Sequence, residues 1–438
     1  MTPPSPLRTL MIAAALVLAP GLARAADPPP EPAARDTTEH LQFTPNPLES
    51  EAPPERPRSP IGDREGSWAR APRGDDIITD IEPWHAAEGH HQDLDLLVDY
   101  NRVDPLRAGF GWRFHGTDAW MPRVGARVER AFGRNRTLYG AQFEQPIIGR
   151  RRLSIGATMY RRTDHNDLQQ MSDFENSLAL LLGRTDDRDY FEREGQGVYL
   201  ALRVPRVTRA SLRFNSDRYR SLSTWTDTRS WAHTGRPLRV NPAIDDGDVH
   251  ALQLRFERAP RMPRRLRVGL DHWIEIERAG HGMGGDFSYT RALADVRSML
   301  RLTPASTLSL RAVGGHNPDG DLPRQREFTV GGPDGLRAHP VDAFRGNRIA
   351  LGQAEYDVGL WSMRGDGFEN GIHALAFVDA GGAWHGTRGS WDPISQRFAA
   401  DGGVGVATSD TSLRVYFAKD LHDAGRDVVI SVRLQRPF

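Results

Sequence analysis

Residues 266–276 read LRVGLDHWIEI, and neighbouring positions differ in kind. Leu266, Val268, Leu270, His272, Ile274 and Ile276 make one series, apolar except for the histidine. Arg267, Gly269, Asp271, Trp273 and Glu275 make the other, mostly charged or small. A period of two marks a strand whose two faces meet different surroundings. The pattern recurs in both directions along the chain. Leu252, Leu254 and Phe256 alternate with Gln253, Arg255 and Glu257, and Tyr139, Ala141 and Phe143 with Gly140, Gln142 and Glu144. Near the end, Val428, Ile430, Val432 and Leu434 alternate with Val429, Ser431, Arg433 and Gln435. A soluble sandwich alternates too, with its apolar face in the core, so alternation alone leaves the fold open.

Strand number and loop parity separate the two. The alternating segments fall at roughly 94–103, 106–115, 123–132, 135–146, 152–162, 195–204, 209–222, 248–258, 264–276, 286–302, 306–315, 347–361, 371–381, 402–409, 411–420 and 428–438, about sixteen in all. An even number of segments near ten residues long suits a closed transmembrane barrel. The connections after even-numbered segments are short, such as 205–208 and 303–305, whereas the long ones, 163–194, 223–247, 316–346 and 382–401, all follow odd-numbered segments. Short periplasmic turns and long external loops are the outer-membrane arrangement, and a sandwich has no reason to keep it. The expected fold is therefore all-β, a sixteen-stranded antiparallel transmembrane β-barrel with long extracellular loops.

Composition agrees. Residues 9–19, TLMIAAALVLA, follow Arg8 and precede Ala23-Arg24-Ala25, which reads as a signal peptide over 1–26 with cleavage near Ala26 or Asp27. Residues 27–90 are rich in proline, poor in apolar residues, and read as an extended periplasmic linker; 91–438 is the barrel. There is no cysteine, so disulfides and thiolate metal sites are excluded. No later stretch is long and apolar enough for a membrane helix. A content of 38% hydrophobic and 26% charged residues resembles a soluble protein, but a barrel wall shows lipid only every second side chain. A net charge of zero argues against a nucleic-acid partner.

Within the loop at 163–194, Ser172-Asp173-Phe174-Glu175 fits a helix-capping box and Gly183 a helix stop, with apolar residues 178–182 expected to pack on other loops or cap the lumen. The run from Asp186 to Glu194 reads as internally paired arginines and carboxylates rather than a calcium site. His85, His90, His91 and Asp93 read as a solvated turn rather than a metal site. Trp120, Trp361 and Trp384 stand near strand ends, as an aromatic girdle would. Neither a phosphate loop, a nucleophile elbow nor an HExxH pattern is present. The expectation is no enzyme, no cofactor and no metal.

Residues 328–339, FTVGGPDGLRAH, stand in the loop between the eleventh and twelfth segments. They resemble the signature loop of the BamA/TamA surface-antigen superfamily, barrels that insert or translocate other outer-membrane proteins. Gly331-Gly332 and Leu336-Arg337 match the family pattern, while Ala338-His339 replace its Gly-aromatic pair. Phe344-Arg345-Gly346-Asn347, Ala354-Glu355-Tyr356 and Phe377-Val378-Asp379-Ala380-Gly381 resemble the strands that follow, and Phe438 the C-terminal aromatic recognised by the barrel assembly machinery. The similarity is specific over 326–438 and a strand pattern elsewhere. It implies that the loop, sixth on the long side, folds into the lumen and that Arg337 pairs there with Glu355 or Asp379. Inward-facing Asp379 would put Phe377 and Gly381 on the same side and Val378 and Ala380 against lipid.

The resemblance further implies a bacterial outer-membrane location, with lipid and lipopolysaccharide as surroundings and client proteins as candidate partners. Family members carry periplasmic POTRA domains, and residues 27–90 are too short and proline-rich for one. The alternative function is thus a passive pore or structural protein with no client. Pro437 cannot donate a ladder hydrogen bond, which points to a short closing seam or a fraying strand end.

Overall fold

The computed structural model describes residues 92–434, apart from 116–119, 149–151, 170, 205–207, 226–227, 229, 232–236, 258–268, 304, 366–367, 387–397 and 409–412. The signal peptide, the linker, His85, His90, His91, Pro437 and Phe438 lie outside the described residues.

Eighteen strands are described: β1 (Gln92–Asp99), β2 (Arg107–His115), β3 (Arg123–Ala131), β4 (Arg136–Ile148), β5 (Leu153–His165), β6 (Tyr190–Val204), β7 (Thr208–Ser221), β8 (Gly247–Glu257), β9 (Gly269–Ala279), β10 (Tyr289–Thr303), β11 (Ser306–Gly320), β12 (Phe328–Val330), β13 (Phe344–Gly346), β14 (Arg348–Gly365), β15 (Phe368–Trp384), β16 (Ala399–Thr408), β17 (Arg414–Asp420) and β18 (Val429–Arg433). Sixteen of them form one sheet in chain order, β11 passing directly to β14, and each is antiparallel to its neighbours. β12 and β13 make a separate two-stranded ribbon inside the loop between β11 and β14. The alternating segments of the sequence correspond to the sixteen sheet strands; the ribbon is too short to show a period. Among the described residues β1 and β18 each pair with one neighbour only and form the two edges of the sheet. No described helix is long and apolar enough to cross a membrane.

The two faces of the sheet are chemically opposite. Leu96, Phe110, Val198, Leu270, Val378 and Ile430 stand exposed on one side. The other side buries Arg123, Glu144, Arg213, Glu275, Arg291 and Asp379. Thus in β9 Leu270 and Ile276 point out, while Trp273, Glu275 and Glu277 are enclosed. The buried charges are paired: Glu144 takes Arg123 and, at 3.1 Å, Arg203, and Arg255 lies 3.0 Å from Glu275. Pairing offsets the desolvation of each ion, and removing one partner of such a pair costs about 3–5 kcal/mol.

Helix α1 (Asp173–Gly183) lies in the loop between β5 and β6. Ser172 caps it, accepting from the Glu175 N–H at 3.1 Å, and Arg184, not Gly183, takes the left-handed conformation that ends it (φ 55°). Its buried face is the polar one, with Glu175, Asn176, Ser177 and Leu180. Of the apolar residues 178–182, Leu180 is fully buried, Leu178 and Ala179 are half-buried, and Leu181 and Leu182 are exposed, so the stretch supplies only part of the packing expected of it. The reason is the charged face below, which offers Asp99, Tyr190 and Arg433 as hydrogen-bond partners instead.

Two further expectations are corrected. The carboxylates of the 186–194 run pair with arginines from other segments rather than within the run: Asp186 and Asp189 with Arg102, and Glu192 with Arg134, Arg136 and Arg220. Trp120 and Trp361 are exposed, but Trp384 is buried and packs edge-on against Phe398, so it cannot serve in a girdle.

Candidate functional site

The charged face is covered by the loop at 321–347. Its backbone turns sharply at Gly331 (φ 139°) and Gly332 (φ 76°), conformations that L side chains rarely adopt. A Cβ on Gly331 would stand 2.2 Å from the Pro340 carbonyl oxygen, so the glycine is required sterically as well. The turn closes through Gly332 N–H to His339 O at 3.0 Å and His339 N–H to Leu336 O at 3.1 Å. Leu336 is fully buried in an apolar cluster with Phe328, Val330, Ile349 and Leu351. That anchor directs the next residue, Arg337, at the wall.

Arg337 is 2% exposed. Its Nη1 donates to Glu355 Oε2 at 2.9 Å on β14, while Nε stands 3.1 Å from Asp379 Oδ2 and Nη2 3.4 Å from Asp379 Oδ1 on β15. The guanidinium lies over the Phe377 ring at 4.0 Å and the Tyr416 ring at 4.6 Å. A planar fork that addresses carboxylates along its edge and aromatic faces across its plane is a role lysine cannot copy. The structure therefore brings Arg337, Glu355 and Asp379 together. On β15, Phe377 and Gly381 share the buried side with Asp379, Val378 is exposed and Ala380 is half-buried.

The surroundings go beyond the residues singled out in the sequence. Arg414 on β17 also reaches Glu355, at 2.5 Å, and Asp357 at 3.1 Å, so Glu355 serves two guanidinia. Tyr416 donates its hydroxyl to Glu355 at 3.0 Å, and Gln353 bridges the Gly335 carbonyl at 2.9 Å to Asp379 at 3.1 Å. Asp401 on β16 accepts the Ala338 N–H at 2.7 Å. Arg311 donates to the Asp334 carbonyl at 2.8 Å, and Arg433 on β18 to the Asp334 carboxylate at 2.7 Å. The loop tip is thus bonded to five strands, β11, β14, β15, β16 and β18, and stacks on Tyr416 of a sixth, β17. The alternation Arg414, Tyr416, Ala418, Asp420 already places three polar residues on one face of β17, a signal that identifies them once Asp379 is known to face inward.

The described residues thus form an antiparallel sheet with an apolar exposed face and a charged buried face that an arginine-bearing loop covers. No family model matches the chain, and no curated protein matches it. Among solved structures, BamA from Haemophilus ducreyi lacking POTRA domains 1–3 is similar over 78% of this chain and 70% of that chain, with a TM-score of 0.53 and 13% identity. CdiB from Acinetobacter baumannii aligns at a TM-score of 0.43 and 14% identity over 79% of this chain and 60% of that chain. CdiB from Escherichia coli aligns at 0.44 and 11% over 78% and 62%. At such identities the likeness is one of fold, and only the BamA alignment is close enough to weigh. In fold, the chain is similar to BamA, which agrees with the resemblance to the BamA/TamA surface-antigen barrels carried by residues 326–438.

Proposed function

We propose that this chain is an outer-membrane β-barrel of the BamA/TamA surface-antigen type, closed between β1 and β18, that acts in the insertion or translocation of other membrane proteins. The observation that carries this reading is Arg337, held by Glu355 and Asp379 beneath a loop that covers the charged side of the sheet. In water-facing proteins a row of exposed leucines, valines and phenylalanines on every strand would be an aggregation hazard. Against lipid it is the wall that a barrel requires. In this reading the long loops face the exterior, lipid and lipopolysaccharide surround the wall, and the chain relies on the barrel assembly machinery for its own insertion. It is not an enzyme and uses no cofactor.

Planar-bilayer recording tests the occluded interior: small, flickering conductance is expected. A wide, steady pore would favour a passive channel instead. The client role is tested by crosslinking in cells that export this chain. Recovery of unfolded outer-membrane barrels bound to it supports the role, and their absence under conditions that trap other assembly contacts rejects it.

A further inference from the structure

His339 occupies the position at which this loop departs from the family pattern, and its surroundings are unusual for a histidine. We propose that His339, Asp401 and Asp420 form a binding site for a divalent ion of the zinc class, which clips the loop to β16 and β17.

All three side chains are buried, and one ligand atom from each lies within 4.8 Å of the others. Asp401 is fully buried: its Oδ2 accepts the Ala338 N–H at 2.7 Å, whereas Oδ1 has no hydrogen-bond partner among the described residues and stands 3.0 Å from His339 Nδ1. Asp420 repeats the arrangement. Its Oδ1 accepts the His422 N–H at 2.9 Å, and Oδ2 stands 3.5 Å from His339 Nε2. Each carboxylate therefore has one oxygen held by a backbone donor; Asp401 faces Nδ1 with both oxygens, Oδ1 at 3.0 Å and Oδ2 at 3.3 Å, while Asp420 turns its second oxygen towards Nε2. Outer hydrogen bonds of this kind orient the ligands of metal sites.

A neutral imidazole has one N–H and one bare nitrogen. The bare nitrogen is the one a metal ion takes, so a single ion binds at one edge of the ring. A tetrahedral zinc site places neighbouring ligand atoms ~3.3 Å apart, given metal–ligand bonds near 2.1 Å. The separations of 3.0 Å (Asp401 to Nδ1) and 3.5 Å (Asp420 to Nε2) involve different ring nitrogens, so an ion on one nitrogen requires the carboxylate at the other edge, which lies within 4.8 Å, to move in towards it. One imidazole with two carboxylates suits zinc better than calcium, which takes six to eight oxygens. Arg426 is the competing cation, 3.4 Å from Asp420 Oδ2, but it is half-exposed and can withdraw into solvent. Arg337 stays engaged with Glu355 and Asp379. Three protein ligands leave a fourth position for water.

The test uses the untagged full chain in detergent, titrated with zinc chloride at pH 7.5 by calorimetry and assayed for bound metal after desalting. One zinc per chain is expected. That equivalent should be lost, or its affinity reduced at least tenfold, in Asp420→Asn and in His339→Gln. Equal stoichiometry and affinity in both variants would place the zinc elsewhere and overturn the proposal. The unmutated chain supplies a readout independent of variant folding. Zinc should raise the temperature at which its compact, heat-modifiable gel band is lost, and calcium at the same concentration should not. Failure of zinc to shift that temperature also overturns the site.

Discussion

Glu175, in the first turn of α1, accepts from Arg433 Nε of β18 at 2.7 Å, and the same carboxylate oxygen takes the Leu434 N–H at 2.9 Å. Two residues further along, Ser177 donates to Asp99 at 2.8 Å and accepts the Tyr100 N–H at 2.9 Å. One turn of helix thus bonds the C-terminal ends of both β1 and β18, the edges of the sheet. The carboxylate that the capping-box pattern assigns to the helix N-terminus is engaged with the wall instead, and polar contacts hold the helix alongside its one fully buried leucine, Leu180.

Glu175→Ala should loosen both the helix and the last strand. Arg433 keeps Asp334 at 2.7 Å, so its charge is not stranded, and the loss is expected near the low end for breaking a buried pair, on the order of 3 kcal/mol. The reading is the temperature at which the folded, faster-migrating gel band disappears. A variant that retains the wild-type temperature would show that the helix–wall bond contributes nothing to holding the fold.

At the centre of the loop, Arg337→Lys tests the fork itself. Lysine keeps the charge but addresses only one carboxylate and loses the face contact with Phe377 and Tyr416. Arg337→Ala strands Asp379 beside Glu355 in a buried site and should cost more, on the order of 3–5 kcal/mol against about half of that for lysine. Limited proteolysis of the 321–347 loop orders the three proteins: wild type slowest, lysine intermediate, alanine fastest. If lysine and wild type are cut alike, the geometry of the fork is irrelevant and only its charge matters.

What the sequence makes legible follows from periodicity. Every sheet strand carries a two-residue alternation, so Leu270 and Ile276 declare their outward face without any contact being known. Arg337 stands out because the glycine pair and the aliphatic residue before it form a motif. The partners of the loop beyond Glu355 and Asp379 are hidden for the opposite reason. Arg414, Asp401 and Arg433 sit on strands where any inward position tolerates a polar residue, and pairing depends on how far apart the sheet sets them. Helix α1 shows the same limit. Its capping signals fix where it begins, but its buried face is chosen by the charged surface beneath, which a helical wheel does not contain.

The segment between α1 and β6 should respond to pH. Burial, with Asp186 beside it, pushes the Asp187 carboxyl up to about 6. Burial and the neighbouring Asp342 push Asp189 up to about 6 against the pull of Arg239 and Arg102. In a disordered loop both would titrate near ~3.9. The ordered loop therefore holds these protons more tightly, so their contribution to stability is full below about pH 4 and is lost as the pH rises through about 6. Asp173 titrates below this window, because Arg188 and Arg107 outweigh its burial and hold it well under the usual range, so it adds no slope. Amide exchange across residues 184–190, corrected for intrinsic rates, should show more protection at pH 5 than at pH 8. Asp189→Asn should flatten that difference, and greater protection at pH 8 in the wild type would contradict the argument.

The closing seam can be tested chemically, because the chain has no cysteine of its own. β1 has eight residues and the described part of β18 five, so a junction between them is shorter than the interior pairings of the sheet, such as that of β14 with β15. Two free edges under an exposed apolar face would invite pairing with other chains, and closure removes both at once. Outward residues are the ones to replace, since they leave the buried charge network untouched: Leu94, Leu96 and Val98 on β1, Ile430 and Val432 on β18. In antiparallel pairing, partners move in opposite directions along the two strands. Val98→Cys with Ile430→Cys and Leu96→Cys with Val432→Cys therefore belong to one register and should crosslink together under mild oxidation, while the remaining combinations stay reduced. A register shifted by two residues would favour Leu96→Cys with Ile430→Cys and Leu94→Cys with Val432→Cys instead. Val404→Cys with Phe417→Cys, partners across β16 and β17, is the positive control. If the control crosslinks and none of the six seam combinations does, β1 and β18 do not meet and the closed barrel is wrong.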